Sequence, residues 1–208
     1  MMDTRVQQYQ RPLYFAILLV IVGIGSTLLF KNYQHRQNII AQNAMFQAAY
    51  YFEEEQFEQA LHGDGVWMGM LDIIHKYPWT AAANLAHFYA GAMYIHRQAY
   101  EEAIQHLKQF KAKDFLLQAR AWALIGDAYA EQQAYKKAIT YYLKAANYKP
   151  NKNFTPAYLT KAALAHEANA TPQSALKCYQ RIVEEFPTAS QYGEACKHVA
   201  RLTAVLGD

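Results

Sequence analysis

A repeated spacing constrains the fold of this chain more than any other feature of its sequence. Gly91, Tyr94, Tyr100 and Ala103 recur 35 residues later as Gly126, Tyr129, Tyr135 and Ala138. Within each copy the apolar residues lie three to four positions apart, which places them on one side of an α-helix. Because such helix pairs bury their apolar sides only against a neighbouring pair, the spacing predicts a stack of similar helix pairs.

The spacing continues towards both ends of the chain. Ala175, Tyr179, Ile182 and Pro187 follow Ala138, Tyr142, Ala145 and Pro150 by 37 residues, with the two extra residues in the linker 151–155. Upstream, an irregular copy begins at Tyr51, Phe57 and Ala60 and is interrupted by the tetrapeptide HGDG after Leu61. Helices are expected to end at KYP, YKP and EFP, because the residue before a proline disfavours the helical conformation.

This pattern resembles the tetratricopeptide repeat, in which W-x2-LG-x2-Y is followed by A, F and P over about 34 residues. Trp122, Ile125, Gly126 and Tyr129 carry the first part of the motif, and Pro150 ends it. The resemblance implies an all-α solenoid over residues 43–208. The predicted units are an irregular first repeat 43–83, repeats 84–118, 119–155 and 156–189, and a capping helix 190–206. Within a repeat, Gly126 and Ala138 are small enough to let two backbones approach closely.

An uncharged apolar segment precedes the repeats. Residues 13–30 contain 18 residues without a charge, which span roughly 27 Å as a helix and can cross a bilayer core. The sequence therefore predicts a tail 1–12, a transmembrane helix 13–30 and a helical stalk 31–42. A cleaved signal peptide is the alternative, but its apolar region is shorter and ends in a small-x-small site, whereas Phe30 and Lys31 follow here. Arg5 and Arg11 balance Lys31 and Arg36, so charge leaves the orientation open.

Composition argues against nucleic-acid binding and against several enzyme classes. The chain is 53% hydrophobic and 18% charged, and no predicted helix concentrates basic residues on one face. Motifs for phosphate binding, serine hydrolysis and zinc proteolysis are absent from the sequence. We therefore predict a non-enzymatic protein without a metal or another cofactor. Six histidines are scattered over the predicted helices, where they are interpreted as packed or solvated: His75, His87, His96, His106, His166 and His198.

The HGDG tetrapeptide leaves two interpretations open. Two glycines around Asp64 suit a tight turn with positive φ, in which the aspartate bonds its own backbone. The alternative is a metal or hydrolytic site at His62 and Asp64, although such a site needs more ligands than these two. We favour the turn.

A binding surface is expected on the inner face of the solenoid, which the first helix of each repeat lines. The chaperone-type carboxylate clamp needs several cations there, but the corresponding positions hold Arg120 as their single cation. The first third of the face is apolar and either binds a partner or is covered by the first repeat. The candidate residues are Leu85, Phe88, Tyr89, Ala92, Ile95, Arg120, Leu124, Asp127, Lys161 and Leu164.

The two cysteines lie at equal distances from Pro187. Cys178 is nine residues before this proline and Cys196 nine after it, which places both at one level of an antiparallel helix pair. Both are also expected on the sides of their helices that face the partner, which would bring them within reach of a disulfide. The alternative is a pair of buried free thiols.

The membrane segment and the interrupted first repeat, FEQALHGDGVWMGMLDIIHKYP, resemble together a bacterial family of single-pass tetratricopeptide proteins. Its members include the ancillary subunit of the SecYEG translocon. The resemblance implies an inner-membrane protein with a cytoplasmic N-terminus and a periplasmic repeat domain. It also implies association with SecYEG and with a membrane-anchored prolyl isomerase, and a chaperone-like or scaffolding role for unfolded exported proteins. An envelope scaffold for another membrane assembly, without client binding, is the second hypothesis.

Overall fold

The computed structural model describes residues 3–114 and 116–207, and the side chains of the first helix from Leu18 onward. This helix, α1, runs from Asp3 to Glu53, and its 51 residues correspond to about 77 Å. No proline or glycine lies between Lys31 and Glu53, and α1 continues through this segment without a break. The stalk and the first helix of the first repeat are therefore one continuous helix.

The N-terminal part of α1 bears on the predicted transmembrane helix. In the described part of the chain, no helix is long and apolar enough to cross a membrane. Of the segment predicted to span the bilayer, 13–30, the side chains of residues 13–17 lie outside those described.

The remaining described residues form an all-α solenoid, as the repeat spacing predicts. After the broken first repeat, three regular helix pairs follow, and a last helix packs on the end of the stack. The helices are α2 Phe57–His62, α3 Met70–Lys76, α4 Ala81–His96, α5 Tyr100–Gln109, α6 Leu117–Glu131, α7 Tyr135–Asn147, α8 Thr155–Ala168, α9 Pro172–Glu185 and α10 Tyr192–Gly207.

The same turn closes each helix pair. One residue in each turn adopts a left-handed conformation, with φ between 54° and 59°: Glu55, Gln98, Gln133 and Ala170. The following N–H group then reaches back five residues, as from Ala134 to the carbonyl of Tyr129 at 2.8 Å. This hydrogen bond satisfies a carbonyl that the helix end would leave unpaired. The repetition of one turn gives successive pairs the same geometry.

Glycines on the first helices allow close packing against the second helices. A Cβ at Gly91 would lie 3.2 Å from the carbonyl oxygen of Ala103, so the two backbones approach closely there. A Cβ at Gly126 would lie 2.6 Å from the Tyr142 ring, so the nearest neighbour of this glycine is that ring. Ala138 is fully buried. In the second regular pair the glycine thus makes room for an aromatic ring.

The last helix, α10, closes the apolar end of the stack. Ala195 and Leu202 are buried against α9, and His198 stacks on Tyr179 with 4.4 Å between ring centroids. Arg201 of α10 forms an ion pair with Glu167 of α8. The predicted capping segment is this helix.

The possible disulfide between the two cysteines is not formed, and both thiols are free, as in the alternative interpretation. Cys178 is buried in the core, where burial raises the pKa of its thiol. Cys196 instead lies next to the buried Ala195, one position and about 100° around the helix from the side that faces α9. Its thiol reaches the hydroxyl of Tyr192 on its own helix, a contact that raises the pKa of Tyr192.

Candidate functional site

A groove crosses the C-terminal halves of the first helices of the three regular pairs. It consists of two adjoining cavities of about 490 and 320 Å³. Both cavities are lined by the same four residues, Asp127 and Ala130 of α6, Tyr142 of α7 and Lys161 of α8. The shared lining places the two cavities side by side, and we call them together the inner groove.

The floor of the inner groove is a hydrogen-bonded triad on three helices. The Tyr142 hydroxyl donates to Asp127 Oδ1 at 2.7 Å, and Lys161 Nζ donates to both carboxylate oxygens at 2.6 and 2.8 Å. Burial, with the Asp127 carboxylate beside it, raises the pKa of Tyr142, so its hydroxyl stays protonated and remains a donor. The Lys161 side chain is 42% exposed. The triad therefore fixes the spacing of α6, α7 and α8 and presents one accessible ammonium group to the groove.

Apolar and polar residues surround this triad. Towards α4 the groove is lined by Ile95, His96 and Tyr100, and towards the end of α8 by Leu164, Ala165 and Ala168. Leu164 is 51% exposed, a large fraction for a leucine within a repeat. Glu131 also lines the groove on the α6 side. An apolar wall beside a few charged groups is a surface that an extended polypeptide segment can contact.

The structure brings four of the ten predicted residues into the inner groove: Ile95, Asp127, Lys161 and Leu164. The other six lie elsewhere. Leu85, Phe88 and Ala92 are half-buried and pack against the apolar cluster of α5 and α6. Leu124 is buried within that cluster, and Arg120 is exposed.

The packing of Phe88 and Tyr89 shows whether the apolar third of the inner face is a binding surface or is covered. The Phe88 ring lies 5.2 Å from that of Phe110, which follows α5. Tyr89 meets the edge of Phe52, a residue of α1, at 5.0 Å. The first repeat thus covers Tyr89, while Phe88 fills the space between neighbouring pairs. Both rings are half-buried, and both contribute to packing.

The HGDG tetrapeptide forms a turn, which confirms the favoured interpretation. Gly63 and Gly65 have φ values of 80° and 89°. Asp64 Oδ1 accepts hydrogen bonds from the N–H groups of Val66 and Trp67, and the Tyr51 hydroxyl donates to Oδ2 at 2.7 Å. These backbone hydrogen bonds, with that of Tyr51, lower the pKa of Asp64. The carboxylate is thus engaged in holding the loop between α2 and α3.

Three histidines that are distant in sequence line one cavity of about 390 Å³: His75 of α3, His87 of α4 and His106 of α5. The Nδ1 atoms of His87 and His106 are 3.0 Å apart, so one ring donates to the other. Burial, followed by the nearby His106 and His75, lowers the pKa of His87 to about 4. Burial also lowers the pKa of His106. Among the described residues, no group of three or more histidine, cysteine, aspartate or glutamate side chains is placed to hold a metal ion.

Sequence reasoning missed this cluster and the role of Tyr142 in the groove. The signal for the histidine pair was weak, because His87 lies ten residues before the Arg97–Ala99 turn and His106 seven after it, whereas residues that meet across an antiparallel helix pair lie at equal distances from the turn. The approach of His75 carried no signal, since the broken first repeat has no regular spacing.

Comparison with known proteins identifies the architecture. A crystal structure of a Podosopora anserina kinesin light chain protein with nearly identical tetratricopeptide-like repeats superposes with a TM-score of 0.59. The match covers 80% of this chain and 86% of that chain at 13% identity. The fold is a tetratricopeptide-like solenoid. No protein-family model matches the chain, and no curated protein matches its sequence.

Proposed function

We propose that this chain is a membrane-anchored protein–protein interaction module that binds an extended segment of its partner in the inner groove. The observation that carries the proposal is the groove itself, whose two adjoining cavities are lined by residues of three successive first helices. Its wall contains the exposed side chain of Leu164, and its floor offers the ammonium group of Lys161. An extended peptide can bury its apolar side chains against Leu164 and place a carbonyl or carboxylate group near the ammonium group of Lys161.

Support for the anchor comes from the apolar surface of α1. Between residues 18 and 30 its large apolar side chains are 48–73% exposed, and they lie on every side of the helix. The residues are Leu18, Leu19, Val20, Ile21, Val22, Ile24, Leu28, Leu29 and Phe30. Water around such a surface is unfavourable by about 25 cal/mol per Å², whereas lipid chains cover it without cost to the backbone, whose hydrogen bonds are all within the helix.

The partner and the location follow from the family resemblance. We propose that the chain lies in the inner membrane with a cytoplasmic N-terminus and a periplasmic solenoid. There it accompanies the SecYEG translocon and a membrane-anchored prolyl isomerase and assists unfolded exported proteins. Phe88 and Tyr89, in the apolar third of the inner face, take part in packing. The inner groove is therefore the proposed binding site for exported proteins.

A crosslinking experiment tests the proposed binding site. A photoreactive amino acid replaces Leu164 in the groove or, as a control, the exposed Lys177 on α9. After irradiation in native membranes, mass spectrometry identifies the crosslinked proteins. We expect translocon subunits or exported chains on Leu164 and not on Lys177. Equal products at both positions, or none at Leu164, would contradict the groove; a different membrane assembly on Leu164 would support the scaffold hypothesis instead.

Protease accessibility tests the topology. In spheroplasts, added protease should digest the solenoid and leave a membrane-protected N-terminal fragment that ends near residue 34, where the stalk emerges. A solenoid that stays intact until detergent is added would place it in the cytoplasm and would remove the translocon proposal.

A further inference from the structure

The apolar part of α1 leaves the solenoid at the edge where the first helices of the repeats begin. Gln34 of α1 donates to the carbonyl of Trp79 at 3.3 Å, and Asn38 accepts from the N–H of Ala82 at 3.1 Å. The ring of Phe30 lies 6.0 Å from that of Trp79, which is 69% exposed. The apolar run of α1 therefore ends level with the start of α4. We call the loops 77–80, 110–114 and 148–154 the proximal edge.

Hydrogen bonds join these loops into one continuous edge. Asn84 near the start of α4 exchanges two hydrogen bonds of 2.9 Å with the backbone of Lys111. The carbonyl of Lys113 accepts from the Tyr148 hydroxyl at 3.1 Å and from Lys149 Nζ at 2.7 Å. The contacts lead from α1 through α4 to the loop after α7, so the edge is held at a fixed position relative to the end of the apolar run.

The proximal edge is basic. It carries four exposed lysines, none of which has an ion-pair partner among the described side chains: Lys111, Lys113, Lys149 and Lys152. Asp114 is the one carboxylate that the described residues of these loops contain. It accepts hydrogen bonds from the N–H groups of Leu116 and Leu117, at 2.9 and 2.7 Å, and so serves as a cap for α6.

The opposite edge of the solenoid, at the turns within the helix pairs, carries the reverse charge. Its cations are Arg97, which pairs with Glu58 at 3.1 Å, and the two lysines Lys136 and Lys137 at the start of α7. Seven exposed glutamates lie in or beside these turns: Glu53, Glu54, Glu55, Glu58, Glu101, Glu102 and Glu131. The charge is thus polarised along the direction in which α1 leaves the solenoid.

We propose that the proximal edge docks onto the headgroups of an anionic lipid bilayer, with the four lysines against the lipid phosphates and Trp79 in the interface. The inference rests on the membrane anchoring proposed above and adds a second contact that fixes how the solenoid stands on the membrane. Lysines attract anionic headgroups within a Debye length of the surface, and tryptophan favours the headgroup region. The acidic edge then points away from the bilayer, so that repulsion reinforces the same orientation.

Lysine labelling in reconstituted vesicles tests the docking. The full chain is reconstituted into vesicles of phosphatidylcholine alone or of phosphatidylcholine with a quarter phosphatidylglycerol, and an amine-reactive reagent is applied. Mass spectrometry then gives the labelled fraction of each lysine. We expect labelling of the proximal lysines to fall about threefold in the anionic vesicles, and to recover when the salt concentration is raised to about 1 M. The exposed Lys136 and Lys177, which lie away from the proximal edge, are internal controls and should be labelled equally in both.

A pair of matched variants tests whether the edge lysines cause the protection. Lys111→Gln with Lys149→Gln should abolish the difference in labelling of Lys113 and Lys152 between the two lipids. Lys136→Gln with Lys177→Gln removes the same charge elsewhere and should leave the difference unchanged. Equal effects of both variants would overturn a specific role for the edge.

Flotation of the same samples separates this inference from the anchoring on which it rests. A chain that floats with both kinds of vesicle but shows no protection is anchored without docking, which overturns the inference alone. Flotation with neither kind overturns both proposals. Flotation with anionic vesicles only would support docking by charge and would overturn the anchor.

Discussion

At the scale of single residues, Ala170 shows how the repeat geometry imposes a cost on the sequence. It holds the left-handed position of its turn with φ of 54°, and its side chain is exposed. For a residue with a Cβ this conformation costs about 1–2 kcal/mol. Glycine avoids this strain, but it loses more backbone entropy on folding, which offsets part of the gain in stability. We expect Ala170→Gly to raise the free energy of unfolding by about 0.5–1 kcal/mol in urea titrations.

A second alanine provides the control for this prediction. Ala200 is also exposed but lies in the middle of α10, where the backbone is helical. There Ala200→Gly should lower the free energy of unfolding by about 1 kcal/mol. If both glycines change stability in the same direction, the left-handed turn is not the cause.

The histidine cluster predicts a dependence of stability on pH. Burial is the main cause that lowers the pKa of His87 from 6.5 to about 4, and burial also lowers the pKa of His106. The nearby His75 acts in the same direction on both, while Glu102 opposes the shift of His106. The unfolded chain therefore binds protons more readily, so stability is complete above pH 6.5 and declines as the pH falls towards 4. Urea titrations at pH 7.5 and 5 should show this decline, and His87→Asn should reduce it.

The exposed His35 of α1 serves as the control for the histidine prediction. His35→Asn should leave the difference between the two pH values as it is in the unsubstituted chain. A decline of the same size in the His87→Asn variant would assign the pH dependence to other groups.

At the scale of helices, one amide contributes a hydrogen bond to the joint between α1 and α4. Asn38 accepts from the N–H of Ala82, a group in the first turn of α4 that has no partner within its own helix, and Thr80 caps the next N–H group. Asn38→Ala should lower the free energy of unfolding by about 1 kcal/mol. Hydrogen exchange at Ala82 should accelerate with it.

Asn32 is a matched control for this joint. It is an exposed asparagine on the same helix, and Asn32→Ala should change neither stability nor the exchange at Ala82. Slow exchange at Ala82 in the Asn38→Ala chain would contradict the proposed role of the amide in holding the stalk.

For the whole molecule, stability should depend on contacts between neighbouring pairs, since each pair buries its apolar side only against the next. Removal of residues 191–208 takes away α10 and exposes Tyr179, Ile182 and Phe186, which are buried in the intact chain. We expect α9 and α8 to lose protection from hydrogen exchange, while α4 keeps most of its protection. Uniform loss along the chain would indicate a single cooperative unit and would contradict a nearest-neighbour solenoid.

Much of the fold could be predicted from the sequence, because the information was local. The recurrence of Gly91 at Gly126 implied repeated helix pairs, and the prolines after α3, α7 and α9 marked where helices end. The HGDG turn was equally accessible, since two glycines and an aspartate carry the required conformations and hydrogen bonds within four residues.

Part of the candidate site was also predictable. Repeat register placed Ile95, Asp127, Lys161 and Leu164 on the first helices, and these residues line the inner groove. The repeat register does not distinguish these four groove residues from Leu85, Phe88 and Ala92, which pack in the core. The two groups occupy equivalent positions on the inner side of the first helices. Which of them a neighbouring pair covers depends on the offset between stacked helices.

Local sequence is therefore enough for the periodicity: which residues share one side of each helix, and where the helices before Pro78, Pro150 and Pro187 end. How the helices are rotated and offset against one another follows only from packing across the stack. Ala195, and not its neighbour Cys196, is buried in α10, a difference of one residue or about 100° around the helix. The same contacts between distant segments bring His75 to His87 and His106, and line up four lysines beside the end of the apolar run of α1. No local pattern encodes such positions, because they depend on side chains that meet across the stack.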